Sequence, residues 1–172
     1  VREVAPDGSP RRKIALCGFA SSTRPYILEV AKDPAWSIWG LNQLYRHIKR
    51  ADRWADIHYN WDQETVPGTD HHGWARECGM PFYMLRRHPQ LPTSVRFPME
   101  EILREFRADY FTSTIAYLVA LALWEIDHEV RARLQAHVRR TPKRRLEAED
   151  LTDRLRALYT DYTIGVFGVD LT

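Results

Sequence analysis

Short apolar runs at 14–19, 36–42 and 54–58 punctuate the first third of the chain, the first two carrying Gly18 and Gly40 near their ends. Runs of this length suit strands covered on both faces, and the residues between the first two, 24–32, have helical spacing. The pattern continues with a helix-like stretch at 70–78 stopped at Gly79 and an extended stretch at 81–85. A proline-broken loop through Pro89, Pro92 and Pro98 follows. Pro98 sits where a helix can start, and the residues after it place acids in the first turn and apolar side chains at helical spacing.

Thr112, Ser113 and Thr114 supply a cap for the apolar stretch 115–124, which suits a helix pressed against a sheet. From 127 to 159 the chain is rich in Arg, Glu and Leu, with a break near Thr141 and Pro142, so two solvated helices are expected there. Extended structure is expected again at 163–170. Alternation of short strands with helices implies parallel pairing and right-handed crossovers. The expected fold is therefore α/β and Rossmann-like, a mostly parallel sheet with helices on both faces and an inserted charged helical hairpin at about 126–160. Residues 1–11 are expected to form a flexible arm and 12–172 a single domain.

Composition narrows the function classes. The chain has 172 residues, 44% hydrophobic and 28% charged, enough for one core. Its longest strongly apolar run falls well short of the ~20 residues of a membrane span, and a soluble, cytoplasmic protein without a membrane partner is expected. Two cysteines, Cys17 and Cys78, are too few for a disulfide framework or a cysteine-built zinc site. The net charge of +2 conceals a cluster of Arg139, Arg140, Lys143, Arg144 and Arg145. Such a patch is a solvated helix connection or a contact for nucleic acid.

Strand ends carry the candidate chemistry. Gly18, Ser21, Ser22, Thr23 and Arg24 follow the first strand, where small residues, hydroxyls and a helix start offer a phosphate site. The same residues also serve as a plain helix cap beside a solvated arginine. Asn42 and Gln43, after the second strand, have side chains able to bind a base or ribose edge, or to form a turn. Thr112, Ser113 and Thr114 open another helix and suit an anion or a cap. Asp170 ends the last strand, where a carboxylate binds a sugar hydroxyl, a metal ion or an acceptor proton, or caps a helix; it is the candidate catalytic residue. His58, His71 and His72 with Asp56, Asp62 and Asp70 have no recognised ligand spacing, so no metal is assigned.

Four of these segments together resemble a family. A strand running into Gly18 to Ser22, a strand ending in Asn42-Gln43-Leu44-Tyr45, the turn Thr112-Ser113-Thr114-Ile115 and the strand end Gly168-Val169-Asp170 are similar to the bacterial sialyltransferases that use CMP-sialic acid. They also resemble the flagellin-associated glycosyltransferase-like domains and small phage-encoded Rossmann proteins. The resemblance covers 13–170 apart from the charged insertion, and implies a nucleotide or nucleotide sugar as ligand, bound by the first three segments. Phe19, Ala20 and Thr114 depart from the pattern, standing where that family has an asparagine and two glycines. The histidine and tyrosines that the resemblance would make functional follow its glycine-aliphatic-aspartate segment, and this sequence ends two residues past Asp170.

Three readings stay open. The first is a nucleotide-sugar-dependent, glycosyltransferase-like transferase acting on a glycan or modified nucleic acid. The second is a nucleotide-binding module that senses or sequesters, favoured by the want of an evident general base. The third is a nucleic-acid-associated accessory protein acting through the basic run. Self-association fits any of them.

Overall fold

A computed structural model describes residues 12–22, 24–63, 67–140, 159 and 162–167. Its elements run β1 (Arg12–Cys17), α1 (Arg24–Val30), β2 (Trp36–Leu41), a 3₁₀ turn (Asn42–Arg46), β3 (Arg53–Asp56), a second 3₁₀ turn (Trp61–Gln63) and α2 (His71–Glu77). Then come β4 (Phe82–Met84), β5 (Ser94–Arg96), α3 (Met99–Phe106), α4 (Thr114–Arg140) and β6 (Tyr162–Phe167).

Every strand pairing is parallel, in one six-stranded sheet of order β5-β4-β3-β2-β1-β6. The side chains explain why both faces are covered. Ile14 and Leu16 of β1, Trp39 and Leu41 of β2 and Ala55 of β3 face α3 and α4. Their alternates Ala15, Cys17, Ile38 and Trp54 face α1, the Asn42–Arg46 turn and α2. A sheet buried on both sides has no polar face, which is why its strands read as continuous apolar runs. The chain is an α/β protein of Rossmann-like architecture, as the alternation of its segments implies.

Local chemistry ends the helices. Asp70 accepts from the Gly73 amide at 2.8 Å and caps α2, whose end is turned by Gly79 at φ +69°. Ser113 caps α4, its hydroxyl accepting from the Ala116 amide at 3.4 Å and its carbonyl from the Tyr117 amide at 3.2 Å.

Two expectations need correction. The proline-broken loop contains β5, because Ser94–Arg96 pairs with Phe82–Met84 while the prolines stay outside the strand. The stretch from 127 onward starts no new helix; it continues α4 as far as Arg140. Leu118, Ala122, Ile126 and Val130 form one buried stripe at four-residue spacing, so packing against the sheet carries the helix past the apolar stretch. The expected break at Thr141 and Pro142 and the rest of the insertion lie outside the described residues, as does the arm 1–11. Among the described residues no helix is long and apolar enough to cross a membrane.

Candidate functional site

The carboxyl ends of β1, β2 and β3 lie side by side, so the chain leaves them within a span of roughly 10 Å. Gly18, Ser21, Ser22 and Arg24 follow β1, and Asn42 and Gln43 follow β2. Helix α4 runs back from this edge: Tyr117 packs edge-on to Phe97 just beyond β5, whereas Glu125 reaches Arg53 at the start of β3 and Glu129 reaches Arg12 at the start of β1. Thr112, Ser113 and Thr114 therefore come to the carboxyl edge too, on the face opposite α1. Thr23, Lys143, Arg144, Arg145 and Asp170 lie outside the described residues; Arg139 and Arg140 close α4.

The first turn is less open to an anion than its letters suggest. The Gly18 amide donates to the Phe167 carbonyl at 2.6 Å, extending the β1–β6 ladder, and the Arg24 amide donates to Ser21 at 3.4 Å. Pro25 has no amide hydrogen. What the turn offers is the exposed Ser21 and the Arg24 side chain, which lies 5.7 Å from the Phe19 ring and, among the described residues, makes long contacts, 3.5 Å to the Phe19 carbonyl and 3.4 Å to His47. The Arg24 Nε has no hydrogen-bond partner among the described residues. Partial burial, then the charges of Arg24 and Arg46, lower the His47 pKa.

Asn42 holds a left-handed backbone at φ +47°, its carbonyl accepting from the Trp54 indole at 3.0 Å. Its side-chain oxygen is buried and carries no partner among the described residues. A strained backbone and an unsatisfied polar atom on one residue mark a place where packing alone does not decide the conformation.

Beyond β3 lies a group that the sequence pattern did not single out as catalytic. Asp56, fully buried, sets one carboxylate oxygen 2.8 Å from Nδ1 of His58 and the other 2.8 Å from Nε2 of His71. Burial alone raises a carboxyl pKa, but hydrogen bonds and attraction from the two imidazoles outweigh it and hold Asp56 below its ordinary value. Around the group, Tyr45 stacks on Trp74 at 4.1 Å and on His71 at 5.5 Å, Trp61 packs 4.3 Å from His72, and His88 pairs with Asp62 at 2.7 Å. Asp56 and His58, two apart at a strand end, project to one side, a relation readable from the sequence; the arrival of His71 from α2 is not. Both imidazoles turn a nitrogen onto Asp56 rather than toward a shared point, and no set of three or more His, Cys, Asp or Glu among the described residues is arranged to hold a metal ion.

A cavity of about 830 Å³ opens at the opposite, amino edge, walled by Arg12, Trp36, Arg50, Arg53 and Glu125 among others. Its charges close on one another: Arg12 pairs with Glu129, Arg53 with Glu125, and Arg50 donates to the carbonyls of Ala31, Asp33 and Trp36. Those contacts brace the strand starts, at the edge of the sheet opposite Arg24, Asn42 and Asp56.

No family model, curated protein or solved structure matches the chain.

Proposed function

We propose that the chain binds a nucleotide sugar along the carboxyl edge of its sheet and transfers the glycosyl group to an acceptor hydroxyl. The observation that carries this reading is the Asp56–His58 pair at the end of β3, beside the loops of β1 and β2. A carboxylate on Nδ1 fixes the ring and favours the tautomer whose Nε2 accepts a proton, the general-base arrangement. His58 takes the acceptor proton as the acceptor oxygen bonds to the sugar carbon. The bond from that carbon to the phosphate oxygen breaks, the nucleotide leaves with the electron pair, and Arg24 receives the charge.

The test is turnover and thermal stabilisation with CMP-, UDP- and GDP-sugars. Stabilisation with turnover is expected, and H58N is expected to keep the stabilisation while turnover falls by about 100-fold or more. Stabilisation of the wild type without turnover favours a sensing or sequestering module. Neither response from any nucleotide sugar overturns the reading.

A further inference from the structure

Asp56 divides its two oxygens between two imidazoles in unlike settings. The His58 side chain keeps 40% of its surface exposed; that of His71 keeps 2% and stacks against Tyr45 and Trp74. A ring so enclosed does not meet a substrate, and its one polar contact with the reacting side of the group is the carboxylate it shares.

We infer that His71 is a positioning residue that sets the proton affinity of His58 through Asp56. The inference rests on the reading of His58 as the base. A carboxylate oxygen that accepts a hydrogen bond from His71 has part of its charge compensated, so it holds an added proton on His58 less tightly. His71 thus lowers the proton affinity that Asp56 and His58 share; without it, the pair binds a proton more strongly. A protonated His71 acts in the same direction, since a cation beside the pair also lowers its proton affinity.

Other titratable groups surround the pair and stay constant in the variants that test it. From the Asn42–Arg46 turn, Tyr45 stacks on His71; from α2, the His72 ring lies 6.0 Å from that of His71, with its Nε2 on the Trp61 carbonyl. From the loop before β5, His88 packs on Trp61 and pairs with Asp62 beside it. From the start of α2, Asp70 is engaged by the Gly73 amide.

The experiment is a histidine-ring NMR titration of the whole chain as wild type, H71F and H71Q. Phenylalanine keeps the ring stack and removes the nitrogen, whereas glutamine returns an N–H toward Asp56. The His58 midpoint is expected to rise by about half a pH unit or more in H71F, about threefold in proton affinity, and to return in H71Q. A merely structural His71 lowers stability and leaves that midpoint where it was, which overturns the inference. Should H71F fail to fold, H71M, which also lacks a ring nitrogen, takes its place in the comparison with H71Q, and an unmoved His58 midpoint overturns the inference. No substrate enters this measurement, so an absence of turnover sinks the base reading alone and an unmoved midpoint sinks the coupling alone.

Discussion

Arg53 donates to both carboxylate oxygens of Glu125 at 2.7 Å, tying the start of β3 to the middle of α4. Its guanidinium also lies 4.4 Å over the Trp39 ring, so one side chain holds a helix and covers a core tryptophan. Both partners are about a third exposed, and one nitrogen, Nη1, serves both oxygens, which moderates the strength of the pair. R53A is expected to lower stability by about 1–2 kcal/mol, through lost packing as well as lost charge. E125Q, which keeps the shape, is expected to cost about half as much by the same accounting. Urea unfolding of the two variants checks the ordering, and a larger loss in E125Q than in R53A contradicts it.

Asp56 makes stability depend on acid. Its folded pKa lies below the ordinary 3.8, so its contribution is complete above the unfolded value and is lost as the pH falls through the folded one. Below about pH 4 the urea midpoint of the wild type is expected to fall more steeply than that of D56N. At pH 7, D56N is expected to cost about 3 kcal/mol, because two imidazoles lose a buried charged partner. Parallel acid limbs for the two proteins are the result against this account.

Gly40 has no room for a side chain. A Cβ placed there would stand 2.2 Å from the Trp54 ring, which is buried and anchored by its indole hydrogen bond to the Asn42 carbonyl. G40A is therefore expected to destabilise by about 3 kcal/mol or more, against about 1 kcal/mol gained where alanine replaces glycine without conflict. Thermal unfolding measures the sign directly.

The two thiols are expected to differ in reactivity. Burial at the end of β1 pushes the Cys17 pKa up to about 12, and its side chain is closed off from solvent. Cys78 is half-buried, with its pKa also raised by burial. Alkylation of the native protein near pH 8 is expected to label Cys78 slowly and Cys17 only after unfolding, read by peptide mass analysis. Native labelling of Cys17 at the rate of Cys78 contradicts this.

The parallel sheet was legible because strands buried on both faces must be apolar throughout, and the runs at 14–19 and 36–42 are. Helix starts were legible at Pro98 and Ser113 for the same local reason, since caps and first-turn residues sit beside what they cap. Strand β5 escaped because three residues between prolines carry no period. The long reach of α4 escaped because its buried stripe continues under a surface of Arg, Glu and His that reads as solvated. At the candidate site, the strand-end positions of Arg24 and Asn42 follow from topology, whereas the state of the Gly18 amide depends on β6, far away in sequence. His71 joining Asp56 depends on the path of α2, which no spacing encodes.

The pairing of β1 with β6 joins segments far apart in the sequence. Arg12 aligns with Tyr162 and Cys17 with Phe167, so the flank of β1 away from β2 is closed by a segment far along the sequence. Joining such distant segments costs more chain entropy than joining neighbours and slows that pairing. Until it occurs, β1 offers other chains a row of unsatisfied peptide groups beside Ile14 and Leu16, which makes the newly made polypeptide a client for protection from aggregation.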